Sequence, residues 1–164
     1  MSNQDLNLLD AIQIAMDAEQ KAAAFYADAA HKTVYPLGHR LFEQLAEFER
    51  HHYSKLAALE TSLRDEGAFI GYEGKELSLP APSEVEGASG IEEPEKRSAV
   101  GIITLAIDVE REAEKRYTTL AEQTTDPVGQ SMFKQLAEEE HIHYRILSNL
   151  YWNVNNRGVW DWSE

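Results

Sequence analysis

The chain has 164 residues, with 29 Asp and Glu against 15 Lys and Arg, a formal net charge of −14, and no cysteine. That length suits one domain with a sizeable core. The acid surplus excludes a general electrostatic grip on nucleic acid, and the lack of cysteine excludes disulfides, thiolate zinc sites, cysteine-held iron–sulfur clusters and a Cys nucleophile.

Residues 1–20 contain no basic segment followed by an apolar run, so no secretory leader is expected. The first helical periodicity runs over 5–32, where Ile12, Met16, Glu19 and Tyr26 share a face. Tyr35-Pro36-Leu37-Gly38 then makes a turn, and a second helix is predicted over 38–64. Its buried stripe reads Leu41, Leu45, Phe48, Glu49, His52, Leu56, Leu59, so a Glu and a His interrupt an otherwise apolar face. Residues 65–95 are dense in Gly, Pro, Ser and Glu and read as a connection rather than a fifth bundle helix. Short alternating stretches, Ala68-Phe69-Ile70 and Leu77-Ser78-Leu79, leave a loop or a small hairpin open within it.

The third helix is predicted over 96–124, with Glu110 between Ile103, Ile107 and Tyr117 on the inner stripe. The longest apolar stretch of the chain, Ala99 to Ile107, lies here and is too short to cross a bilayer, so a cytoplasmic protein with no membrane partner is expected. Asp126-Pro127-Val128-Gly129 makes the second turn, with Asp126 as a cap. The fourth helix follows over 128–152, its stripe running Met132, Leu136, Glu140, His143, Leu147, Leu150. An aromatic tail, residues 153–164, carries Trp160-Asp161-Trp162 and is expected to cover the bundle or to make a subunit contact.

The second half of this series repeats the first. Glu19 matches Glu110, Glu49-x-x-His52 matches Glu140-x-x-His143, and Tyr26 matches Tyr117, each pair 91 residues apart. Phe42/Phe133, Gln44/Gln135, Leu45/Leu136, Ala46/Ala137 and Tyr53/Tyr144 keep the same shift. The chain is therefore a duplicated helical hairpin: hairpin 5–64, crossover 65–95, hairpin 96–152 and tail, in a single domain 1–164. A helix of about 22 residues is roughly 33 Å long. A connection as long as 65–95 suits a return to the far end of the bundle, which gives an all-α four-helix bundle with up-down-down-up topology.

A Glu and a His at i, i+3 lie on one helix face and can present a carboxylate and an imidazole to one ion. Four carboxylates buried in an apolar core repel one another and lose their hydration, a cost that two divalent cations would balance. The predicted ligands are Glu19, Glu49, His52, Glu110, Glu140 and His143. Glu49 and Glu140 act as bridges or terminal ligands, one imidazole serves each ion, and Glu19 and Glu110 cap. Carboxylate and imidazole together suit Fe, Mn or Zn.

The overlapping register Glu138-x-x-His141 lies about 200° round from Leu136 and belongs to the solvated face. His51, unmatched by the repeat, is peripheral. Glu114 has two readings, an additional ligand or a surface Glu paired with Lys115 or Arg111. Tyr26 and Tyr117 either bond a ligand carboxylate or pack with a polar tip.

At Glu19, Tyr26, the run Phe42-x-Gln44-Leu45-Ala46-Glu47-x-Glu49-x-x-His52-Tyr53 and their partners through Tyr144, the chain resembles the ferritin-like di-iron carboxylate proteins, and within them the rubrerythrin group. The resemblance spans the four helical segments. It implies a di-iron centre in an oxidoreductase of peroxidase or ferroxidase type that reacts with hydrogen peroxide or dioxygen; dimanganese stays open, since the ligand set barely separates Mn from Fe. The alternative it implies is a ferritin-like iron-binding or storage protein. Rubrerythrins proper resemble this bundle joined to a rubredoxin-type module with four cysteines. Here there is none, so a separate electron-donor protein is the expected partner, with a homodimer as the expected assembly. Their third helix also carries a carboxylate three residues after the first, where this chain has Ala113 and Glu114 stands next to it.

Overall fold

A computed structural model describes residues 3–78 and 91–163. Its elements are four helices, α1 (Asn3–Lys32), α2 (Pro36–Asp65), α3 (Glu93–Gln123) and α4 (Pro127–Arg157). Each of the last three has proline in its first turn, where the missing N–H costs nothing and the fixed φ starts the helix. α2 therefore begins at 36 rather than 38, and α3 at 93 rather than 96. Asp126 caps α4 as expected, accepting from Val128 N and Gly129 N at 2.8 and 3.1 Å. α4 runs to Arg157, five residues past the predicted 152, and stops at Gly158, whose φ of 64° is the left-handed turn that glycine adopts freely.

Cross-hairpin contacts fix the helix directions. Tyr26 meets Glu110 while Tyr117 meets Glu19, so α1 and α3 run antiparallel. His52 meets Glu139 and Glu140 while His143 meets Glu49, so α2 and α4 do as well. With each hairpin antiparallel within itself, the order is up-down-down-up, as the long connection implies.

The described start of the crossover, residues 68–78, is irregular, with neither helix nor hairpin. It climbs the seam between α2 and α4. Phe69 lies against Gly129 at the foot of α4, Tyr72 bonds Glu139 halfway up, Lys75 pairs with Glu47, and Leu77 packs on the upper core. Residues 79–90, including the expected Leu79, lie outside the described residues. At the top Ile91 N donates to Gly158 O at 2.6 Å.

The core is two apolar clusters with a polar layer between them. One holds Leu41, Phe42, Leu45, Ile103, Leu147 and Leu150; the other holds Ile12, Leu56, Leu59, Met132, Phe133 and Leu136. The tail folds back on the first cluster. Trp160 is buried against Phe42 and Tyr35, and Asn153 Nδ2 donates to Asp161 O at 2.7 Å, so the tail covers the bundle end.

Candidate metal centre

The polar layer consists of the six predicted residues. Glu19, Glu49, His52, Glu110, Glu140 and His143 are each at most 2% exposed, on four different helices. They fall into two overlapping sets of four: Glu19, Glu49, His52 and Glu140, and Glu49, Glu110, Glu140 and His143. Within each set one ligand atom per residue lies within 4.8 Å of the others. Glu49 and Glu140 belong to both sets.

Both imidazoles turn Nδ1 inward. His52 Nδ1 is 2.7 Å from Glu140, 3.4 Å from Glu49 and 3.5 Å from Glu19. His143 Nδ1 is 3.6 Å from Glu110, 3.8 Å from Glu140 and 3.9 Å from Glu49.

The tyrosines complete the layer by exchange between hairpins. The buried Tyr26 hydroxyl donates to Glu110 Oε1 at 2.6 Å, and the Tyr117 hydroxyl donates to Glu19 Oε1. Each fixes one oxygen of the opposite capping carboxylate. The packing reading also holds, since both rings are fully buried.

The electrostatics are those of crowded, dehydrated acids. Burial pushes the Glu49 carboxyl well above its usual range, and the charges of Glu140, Glu19 and Glu110 push it further. Burial likewise raises Glu110, with Glu140 adding and His143 opposing, to about 8. Burial also raises Glu19, but the neighbouring Glu49, the charge of His52 and the Tyr117 hydrogen bond together outweigh it and bring the group to about 2. For His52, burial favours the neutral ring, yet Glu140, Glu139 and Glu19 lift it well above its ordinary value.

Both oxygens of Glu49, both of Glu140, Glu110 Oε2, His52 Nδ1 and His143 Nδ1 are buried without a hydrogen bond. Buried polar atoms are normally paired. Seven unpaired donor atoms facing one another, all carboxylate oxygen or imidazole nitrogen, fit a pair of hard-to-borderline divalent cations.

The remaining sequence candidates lie elsewhere. Glu114 pairs with His141 Nδ1 at 3.1 Å, with side chains 33% and 49% exposed. Its partner is neither Lys115 nor Arg111, and it stands apart from the cluster. Glu138 is exposed. His51 bonds the Glu73 carbonyl at 3.1 Å.

The sequence reading missed Glu139 and Tyr72, which stack behind His52. The mate of Glu139 in the repeat is Phe48, a mismatch inside an otherwise matched run that could have drawn attention to it.

Two faces of the layer differ. The crossover covers the α2/α4 side. On the α1/α3 side a cavity of about 480 Å³ reaches Glu19 and Glu49 past Ala18, Ala22 and Ala113, with Lys21, Asp108 and Arg116 along it.

The Rubrerythrin family model matches residues 1–60 and 101–159, which hold all six residues of the layer. The chain belongs to the rubrerythrin family. Among solved structures, a hypothetical protein from Pyrococcus furiosus shares this rubrerythrin chain's fold at a TM-score of 0.71 and 24% identity, over 93% of this chain and 92% of that one. No curated protein matches it. No described helix of this rubrerythrin-family chain is long and apolar enough to cross a membrane.

Proposed function

We propose that the chain is a di-iron redox protein of rubrerythrin type, which reduces hydrogen peroxide or dioxygen with electrons from a separate donor protein. The observation that carries this reading is the pair of four-residue sets sharing Glu49 and Glu140, with their donor atoms buried and unpaired. Glu19, Glu49, His52 and Glu140 would hold one ion, and Glu49, Glu110, Glu140 and His143 the other. When bound, the ions would supply the electrons and the open coordination positions that oxygen chemistry needs. Manganese fits the same donors.

The chain's own residues do the rest. The two apolar clusters keep bulk water from the layer. Tyr26 and Tyr117 hold Glu110 and Glu19 in place through one oxygen each, and Glu110 Oε2 is left without a hydrogen bond. The cavity between α1 and α3 gives a small oxidant a way in. With no cysteine in the chain, reducing equivalents come from outside, and a homodimer in the cytoplasm is the assembly we propose.

Metal analysis of the isolated protein tests the reading. About two ions per chain, lost in Glu49→Ala and His143→Ala, are expected, and a chain from iron-replete cells with no bound metal would overturn it. Mixing the anaerobically reduced protein with peroxide and with oxygen then identifies the oxidant by which reaction is fast. A many-subunit shell retaining hundreds of irons would replace redox turnover with iron storage.

A further inference from the structure

The two halves of the centre are unequal, and the residues that make them so break the repeat. His52 Nε2 lies 2.8 Å from Glu139 Oε2, and the same oxygen accepts from the Tyr72 hydroxyl at 2.5 Å. In the other half the matching position is Phe48. Its ring stands T-shaped to both imidazoles, with centroids 4.3 Å apart and an interplanar angle of 89° at His143, and 5.0 Å and 82° at His52. Both imidazoles thus touch the hydrocarbon ring, and His52 has a carboxylate on its outer nitrogen in addition.

The consequence concerns the ligating nitrogens. By donating Nε2–H to Glu139, His52 keeps a proton on the outer nitrogen and leaves Nδ1, the nitrogen facing Glu19, Glu49 and Glu140, as the one that would give up its proton to an ion. A carboxylate in that place also holds the ring plane and raises its donor strength, and loss of such an outer partner typically costs 10–100-fold in metal affinity. At the position matching Glu139, Phe48 offers no carboxylate to hold such a proton.

Glu139 is itself held. Tyr72 fixes one oxygen, and Gly74 passes so close to the other that any side chain there would overlap it. The segment of crossover carrying both is tied to α2 through His51 to Glu73 O and Lys75 to Glu47.

We propose that Glu139 and Tyr72 are positioning residues that make the His52 side the tighter of the two metal positions, so that divalent ions load in order: first at Glu19, Glu49, His52 and Glu140, then on the His143 side. This rests on the metal-centre reading above. The crossover thereby becomes part of the centre, because it carries Tyr72.

Two ions sharing Glu49 and Glu140 repel, so a weaker second step occurs in any case. The informative comparison is between variants left with one imidazole. Calorimetric titration of the chelator-treated full chain with Mn²⁺ should give a first ion bound about 10–100-fold more tightly in His143→Ala than in His52→Ala. Added to His143→Ala, Glu139→Ala should remove most of that difference and Tyr72→Phe a smaller part. Added to His52→Ala, both should leave affinity within about twofold, unlike general damage to the bundle. Glu139→Gln keeps the shape and an acceptor and should fall between; it carries the test if the alanine variant fails to fold by circular dichroism. Equal affinities in the two single-imidazole variants, or a difference insensitive to both Glu139→Gln and Tyr72→Phe, would overturn the ordering alone. No uptake by the unaltered chain would overturn the metal centre itself.

Discussion

Glu49 has no hydrogen bond on either oxygen, and its surroundings hold its carboxyl far above the usual range. Such a group serves an ion at the expense of the ion-free fold. Glu49→Gln puts a permanently neutral amide where the metal-free fold otherwise has to keep a proton that the unfolded chain releases. At neutral pH the metal-free variant should therefore be more stable than the metal-free parent, while binding of the ion pair is lost. Urea unfolding in chelator, with metal analysis beside it, checks both halves; a destabilised variant would show that the acids are compensated without metal. The same residues set a pH dependence. Glu110 is held at about 8 against 4.5 in the unfolded chain, so over that window the folded chain keeps a proton that the unfolded chain has released. The stability this contributes is complete below pH 4.5 and lost as pH climbs toward 8. Glu49 acts in the same sense, and His52, raised above 6.5, loses its contribution above that pH. Glu19, at about 2, opposes them only in acid, its contribution being present above 4.5 and lost as pH falls toward 2. The metal-free melting temperature should fall steadily from pH 5 to 8.5. Saturating Mn²⁺ takes the place of these protons and binds better as they leave, so it should flatten or reverse the slope. Calorimetric melts with chelator and with Mn²⁺ make the comparison, and parallel slopes would refute it.

Among the elements, the repeat also reaches the helix starts, where Gly38 and Gly129 are mates that each seat an aromatic ring. A Cβ on Gly38 would stand 2.8 Å from the Trp160 ring, and one on Gly129 would stand 2.5 Å from Phe69. Alanine in a helix gains about 1 kcal/mol over glycine, but overpacking a filled site costs about 1–3 kcal/mol. Gly38→Ala and Gly129→Ala should each be destabilising on balance, with Trp160 fluorescence shifting only in the first. Stability gained in either, by chemical denaturation, would mean that the rings move aside freely. The rings come from the tail and the crossover, the two segments whose placement the sequence could not supply. The helices and the six-residue layer were legible because periodicity and duplication are local or register-bound signals: Glu49 and His52 interrupt an apolar stripe, and Glu140 and His143 interrupt its copy. Tyr72 and Glu139 were hidden for the opposite reason. Their meeting depends on the path of an irregular segment up the α2/α4 seam, and no period in the sequence encodes that path. The starts of α2 and α3 were misplaced by two and three residues because a first-turn proline extends a helix outward while periodicity is counted from its apolar residues.

For the bundle as a whole, the duplication makes the metal layer symmetric while the single crossover makes its surroundings polar in the structural sense, with one face strapped and one open. The strapped α2/α4 face carries Tyr72, Glu139 and the outer nitrogen of His52. The open α1/α3 face carries a cavity of about 480 Å³ lined by alanines that reaches Glu19 and Glu49. Alanine at 18, 22 and 113 leaves that space, since any larger side chain would project into it. Traffic of ions and oxidant should accordingly pass between α1 and α3. Ala18, half-buried on the cavity wall, can carry a larger ring without displacing a core residue, so Ala18→Phe should slow both Mn²⁺ uptake and oxidation of the reduced protein by peroxide, by about tenfold or more, a barrier increase of about 1.4 kcal/mol. Stoichiometry and equilibrium affinity should stay at the parent values, because Ala18 donates nothing to the ligand sets. On the strapped side Leu77→Ala, which trims a side chain at the seam, should leave both rates unchanged. Stopped-flow uptake and oxidation, with equilibrium titration as the control, separate the routes. Parent-like rates in Ala18→Phe together with faster entry in Leu77→Ala would place the entrance beneath the crossover instead.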